Sequence, residues 1–150
     1  MDHVVRAAEP GEEHRVIPLY EWLFAPPGSV PPSWDERRAA VALRQAIESH
    51  DSVVILAEDD AGELVGFCTA YQDIHSVRFG YRAWIEDLAV HPERRSLGIG
   101  KDILDAARAW ARERGAIYLA LESALAREGA HRFYEREGSP PLAYAFVWPL

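Results

Sequence analysis

Cysteine is nearly missing from this chain: Cys68 is the only one in 150 residues. That excludes an internal disulfide framework and suits a reducing compartment, so the expected location is the cytoplasm. Long apolar runs are missing too. None approaches the roughly 20 residues that cross a bilayer, and the first residues carry charge where a signal peptide needs an apolar core. No membrane association is expected. Basic charge is scarce, with 16 Lys and Arg against 24 Asp and Glu and a net charge of −8. A chain holding nucleic acid through its phosphates needs the opposite balance; an acidic surface attracts cationic small molecules instead. The histidines (His3, His14, His50, His75, His91 and His131) show no metal-ligand spacing, and no metal is expected. Repeats, low-complexity tracts and linkers are also lacking, so one α/β domain over residues 1–150 is expected.

What is present alternates between strand and helix patterns. Residues 3–8 read as a strand and Pro10-Gly11 as a turn. Val16, Ile17, Leu19, Tyr20, Leu23 and Phe24 recur at helical spacing, with Pro18 predicting a kink or a helix start. Residues 25–32 form a proline-rich loop. Ser33-Trp34-Asp35-Glu36 has the spacing of a capping box with serine as the N-cap, and the helix after it ends near His50. Residues 53–58 and 64–71 form a hairpin about the Asp59–Gly62 turn, followed by a loop over 72–82 and a strand over 83–90. A long helix then carries Ile99, Ile103, Ala107, Trp110 and Ala111 as its buried stripe, capped by Gly115. A strand over 117–121, a helix over 126–137 closed by Gly138, and a last strand over 143–148 complete the chain.

The run Arg94-Arg95-Ser96-Leu97-Gly98-Ile99-Gly100-Lys101 joins a strand to a helix. Unpaired N–H groups and the helix dipole favour an anion there, and glycines at alternate positions admit a phosphate to bare backbone. Two common phosphate motifs fail. A dinucleotide fingerprint needs a third glycine where Ile103 stands. A P-loop needs a glycine where Arg95 stands and a hydroxyl where Asp102 stands.

What remains, Arg95-x-x-Gly98-x-Gly100 after Ile85-Glu86-Asp87-Leu88-Ala89-Val90, resembles the acetyl-coenzyme A signature of the GNAT superfamily of N-acetyltransferases. Some thirty residues on, Ala130-His131-Arg132-Phe133-Tyr134-Glu135-Arg136-Glu137-Gly138 resembles that family's A-x-x-F-Y-E-x-x-G helix. The resemblance implies the GNAT fold: an α/β structure with a mixed, mostly antiparallel central sheet of six or seven strands and about four flanking helices. It also implies direct acetyl transfer from acetyl-coenzyme A to a primary amine. The backbone of Arg95, Ser96, Leu97, Gly98, Ile99, Gly100 and Lys101 would cradle the pyrophosphate. Leu88, Ala89 and Val90 would pair with pantetheine, and an N–H at Ala89 or Val90 would polarise the thioester carbonyl. Where the family often has asparagine, this chain reads Ala126-Arg127-Glu128, making Arg127 a candidate contact to phosphate or pantetheine.

The resemblance makes Glu86 the base, acting through water because an amine of pKa ~10 is charged at neutral pH, and Tyr134 the acid that protonates the departing thiolate. Side chains alternate along a regular strand, so Glu86 and Asp87 are not expected to share a face. Phe133 and Cys68 read as core. Trp34, Asp73, His75, Tyr81 and Trp84 are acceptor-side candidates from their positions in the fold. The acceptor is expected to be small and polyamine- or aminoglycoside-like. A homodimer, common in the family, is a further expectation. A non-catalytic acyl-coenzyme A sensor or scaffold is the alternative.

Overall fold

The computed structural model describes residues 2–150. Its strands β1 (His3–Ala7), β2 (Ser52–Asp59), β3 (Leu64–Ser76), β4 (Gly80–Val90) and β5 (Tyr118–Leu121) form one sheet in chain order. The first four pair antiparallel, and β5 joins β4 in parallel. Helices α1 (Glu13–Val16), α2 (Glu21–Phe24) and α3 (Glu36–Glu48) cover one face. Helix α4 (Ile99–Glu113) covers the other, where α5 (Glu128–Arg136) adds Phe133.

Strand alternation divides the core between these layers. Val54, Leu56 and Phe67 meet Val16, Trp22, Leu43 and Ala46 on the α1–α3 face. Ile55, Ala57, Val65 and Cys68 meet Ile99, Ile103, Ala107 and Trp110 on the α4 face. Helix α4 lies close against β3 because position 66 is glycine. A Cβ there would stand 2.7 Å from Ile103 Cδ1 and 3.1 Å from Ile99 Cγ2.

The buried stripe of α4 is the expected one, and Gly115 ends it with φ +78. Four expectations are corrected. The N-cap of α3 is Asp35, not Ser33: its carboxylate accepts from the N–H groups of Arg37 and Arg38, and a charged acceptor suits the positive helix end better than a hydroxyl two residues earlier. The helix expected over 16–24 is three short pieces, with a 3-10 helix over Ile17–Tyr20 between α1 and α2, because Pro18 has no N–H for an α-helical bond. The expected loop over 72–82 is mostly ladder, since β3 and β4 continue to Ser76 and Gly80 and stack His75 on Tyr81 across the strands. Among the described residues the sheet has five strands, not six or seven, because residues 139–150, including the expected strand over 143–148, find no ladder partner there.

Gly66→Val should lower the unfolding free energy by about 1–3 kcal/mol, the usual cost of overpacking a closed core. Urea denaturation reads this directly, and an unchanged midpoint would mean that α4 can move off the sheet.

Candidate active site

The site is built around the far half of β4. Ala70 pairs with Ile85 and Thr69 with Asp87, so Glu86 is an extra residue, a β-bulge. The bulge changes which way the next side chain points. Ile85 and Leu88 pack on the α4 side, while Glu86 and Asp87 both turn to the opposite face. Trp84 Nε1 donates to Glu86 at 2.9 Å. The Tyr20 hydroxyl donates to Asp87 Oδ2 at 2.7 Å, and the Thr69 hydroxyl to the same oxygen at 3.3 Å. The regular-strand expectation that the two carboxylates face apart is therefore overturned.

Their surroundings differ. Glu86 is exposed in an open groove of about 430 Å³ lined by Tyr71, Asp73, Arg82, Trp84, Glu86 and Glu122. Three carboxylates face one guanidinium there, and Arg82 is already paired with Asp73 at 2.5 Å. Asp87 is half-buried. Burial, the largest influence, raises its pKa, and the charge of Glu86 adds to this; the hydrogen bonds from Tyr20 and Thr69 and the charge of Arg127 oppose it. Burial and then the Asp87 charge push the Tyr20 phenol upward, so it stays a donor.

On its other side the far half of β4 is open. Pairing with β5 stops at Ile85 opposite Leu121, leaving the edge from residue 86 to 90 without a strand neighbour among the described residues. His91 N–H bonds Val65 O on β3 at 2.9 Å, so backbone alternation turns the Val90 amide outward. Arg95 Nε reaches the outward Val90 carbonyl at 3.4 Å. The turn that follows uses left-handed backbone at Ser96 (φ 63) and Gly98 (φ 87).

Helix α4 then begins without a side-chain cap. Its first internal bond runs from Asp102 N–H to Gly98 O, so the amides of Ile99, Gly100 and Lys101 have no intrahelical acceptor. Gly98 takes the left-handed backbone that favours glycine, and a Cβ there would meet nothing within 4 Å, so the turn is open. A Cβ on Gly100 would make only ordinary contact with Phe133 Cζ, at 3.4 Å. The Ile99 side chain is core, and Lys101 is paired with Asp105 at 2.5 Å. Uncapped amides, an open turn and a free strand edge fit a diphosphate followed by an extended amide-bearing arm.

Helix α5 carries Tyr134, whose phenol is pushed up to about 12, first by burial and then by Cys68, against the opposing charge of Arg127. Among the described residues no protein group hydrogen-bonds its hydroxyl. Arg127 does not point at the α4 turn. Its guanidinium donates to Leu23 O at 2.9 Å, beside Gly28, linking α5 to the end of α2.

Of the acceptor-side candidates, Asp73 and Trp84 join Glu86 in the groove. Trp34 stacks on Tyr20 at 5.6 Å and meets Phe24 edge-on. His75 and Tyr81 stack on each other at 4.0 Å, outside the groove lining. Sequence reasoning missed Tyr20, Thr69, Tyr71, Arg82, Asp87 and Glu122 as site residues. The one signal for Asp87 was the broken alternation of Ile85-Glu86-Asp87-Leu88.

The comparisons with known proteins agree with this geometry. The model of the acetyltransferase (GNAT) family matches residues 16–138. YhfO of Bacillus subtilis (strain 168), an uncharacterised N-acetyltransferase, is 34% identical over 104 residues, 69% of each chain. The aminoalkylphosphonate N-acetyltransferase of Salmonella typhimurium is 36% identical over 89 residues, 59% of this chain and 58% of its own. A solved structure of AAC(6')-Iy in complex with a bisubstrate analog, CoA-S-monomethyl-acetylneamine, matches with a TM-score of 0.84 at 14% identity, over 100% of this chain and 99% of that one. That likeness is one of fold. The chain belongs to the acetyltransferase (GNAT) family, the class of acetyl-coenzyme A-dependent N-acetyltransferases that its two motifs resemble. No helix among the described residues is long and apolar enough to cross a membrane.

The raised pKa of Asp87 has a signed consequence. A carboxyl that holds its proton more tightly when folded stabilises the fold below its unfolded value of 3.8, and that contribution is lost as pH rises through the folded value. Asp87→Asn should therefore gain stability relative to the parent as pH rises from about 4 to about 7. Parallel urea titrations at several pH values test this; a constant difference would mean that Asp87 is solvated.

Proposed function

We propose that this chain transfers the acetyl group of acetyl-coenzyme A directly to a primary amine of a small, multiply charged cation, polyamine- or aminoglycoside-like. The observation that carries the reading is the division of β4. One side of its far half is a bare strand edge leading to uncapped helix amides. The other is a carboxylate-rich groove with Glu86 exposed in it.

Bound along that edge, acetyl-coenzyme A supplies an activated acyl group whose leaving group is a thiolate. The amides of Ile99, Gly100 and Lys101 and the open turn at Gly98 hold the diphosphate, and the outward edge of residues 88–90 orients the arm. Of the Ala89 and Val90 amides, Val90 N–H is the one turned outward to polarise the acyl oxygen. Glu86, fixed by Trp84, takes the proton of the incoming ammonium, directly or through water. A phenol of ordinary pKa ~10 already keeps its proton at neutral pH; burial, which raises Tyr134 further and makes it a weaker acid, keeps it a hydrogen-bond donor toward the departing thiolate.

The groove's charge favours the acceptor class. Its single guanidinium is committed to Asp73, which leaves Glu86 and Glu122 to receive two positive centres of one molecule. Thin basic charge and one buried thiol suit a cytoplasmic enzyme.

Thiol release should be faster with diamines, polyamines and aminoglycosides than with amino acids or peptide N-termini. Glu86→Gln should lower kcat/KM about 100-fold near neutrality. The deficit should shrink as pH approaches the amine pKa of ~10, where the acceptor loses its proton unaided. A pH–rate profile that overlays the parent's would assign the base elsewhere. Tyr134→Phe should lower kcat about 100-fold while calorimetric affinity for acetyl-coenzyme A stays within about twofold. Unchanged turnover would leave Tyr134 a core aromatic. Tight donor binding with no turnover on any acceptor would favour the sensor reading.

A further inference from the structure

Three side chains stand in file along the groove face of β4: Arg82, Trp84 and Glu86. Ala83 and Ile85 between them belong to the core on the α4 side. Side chains two residues apart on one face of a strand are about 7 Å apart, so Arg82 stands about 13 Å along the strand from Glu86. The end of the file remote from Glu86 is thus closed by a cation that belongs to the protein.

That cation is held from three sides. Opposite Arg82, β3 carries a second bulge: Gln72 pairs with Ala83 and His75 with Tyr81, so Asp73 and Ile74 together face one residue. The Asp73 carboxylate there accepts from Arg82 Nε at 2.5 Å. On the other flank Tyr118, the partner of Arg82 on β5, supplies a hydrogen bond through its hydroxyl. The guanidinium carbon lies 5.6 Å from the centre of the Trp84 ring, within cation–π range. Tyr118 first and then Asp73 hold the guanidinium's pKa above its ordinary value. A carboxylate, a hydroxyl and an indole face around one positive charge are the groups that bind an organic cation. Here the occupant is tethered to the wall.

We infer that Arg82 determines acceptor length: it fills a third cation subsite of the groove with its own charge, so that of a linear polyamine only two positive centres are read, the reacting one at Glu86 and a second at Glu122. The inference rests on the reading of the groove as the acceptor site. A longer polyamine brings its next ammonium to a place where a guanidinium already stands. The like charges repel, and the Asp73 carboxylate is already engaged. The extra ammonium stays in water and adds nothing to binding. With an uncharged residue at position 82, Asp73 and the face of Trp84 pass to the acceptor.

Thiol release with putrescine, spermidine and spermine, which carry two, three and four amino groups, tests this. The parent should show kcat/KM values within about threefold of one another, since a solvated ammonium gains little. In Arg82→Ala the spermine-to-putrescine ratio should rise about tenfold, the gain of one ammonium set against a carboxylate and an indole face. Arg82→Gln, which keeps the length of the side chain, should show the same rise; Arg82→Lys, which keeps the charge, should not. Adding Asp73→Asn to Arg82→Ala should cancel the rise, whereas a general loosening of the β3–β4 hairpin would persist in the double variant. Calorimetric titration of spermine into the coenzyme A-bound proteins should follow the same order, and it reads binding apart from turnover. A ratio unchanged in both Arg82→Ala and Arg82→Gln overturns the inference and leaves the acceptor reading standing. So does a parent that already favours spermine by tenfold or more. A parent that acetylates none of the three also overturns the inference, and the acceptor reading falls with it only if aminoglycosides are refused as well. A preference for amines bearing an anionic group, lost in Arg82→Ala, would make this guanidinium an anion receptor and overturn both.

Discussion

One extra residue in β4 sets the arrangement of everything around it. A bulge bends a strand and strengthens its twist, and pairing with β5 ends at Ile85, immediately before Glu86. Beyond that point β4 keeps β3 as a neighbour and loses the other. The parting exposes a backbone edge in the middle of a sheet without unfolding it, because the β3 ladder resumes at Asp87. The same insertion moves Asp87 to the face of Glu86. The open edge and the shared face of the two carboxylates thus have one local cause.

The two carboxylates divide labour through their environments. Asp87 is half-buried and held by Tyr20 and Thr69, and Tyr20 belongs to an aromatic group with Phe24, Trp34 and Phe67. It anchors the α1–α2 segment to the sheet. Glu86 has one hydrogen bond, from an indole, and otherwise faces the groove. A carboxylate this accessible can exchange protons with a substrate; one tied down by two hydroxyls is better suited to placing its neighbours.

Elements with strong periodicity were legible in the sequence. The α4 stripe, the Gly115 and Gly138 stops and the β2–β3 hairpin follow from local spacing, and the phosphate turn and the Phe133-Tyr134 helix from their motifs. The bulge was not legible, because it exists only in the register between two strands; its trace was an unresolved facing in Ile85-Glu86-Asp87-Leu88. Tyr20 was hidden for another reason. An aromatic at helical spacing reads as core, and its ring is core while its hydroxyl serves Asp87. Arg82 and Glu122 lie in segments read as loop or strand end, where spacing says nothing about facing. The strand expected over 143–148 rested on alternation alone, and residues 139–150 join no ladder among the described residues.

Arg127 gives the site a mechanical character. Its guanidinium spans from the start of α5 to the carbonyl of Leu23 at the end of α2, packed against Gly28. The helix holding Tyr134 and the segment holding Tyr20 are therefore braced across the parting of β4 and β5. A bifurcated sheet left to itself would breathe like the jaws of a clothes-peg. With the strut in place the two sides of the parting are tied together by a charged hydrogen bond rather than by backbone pairing.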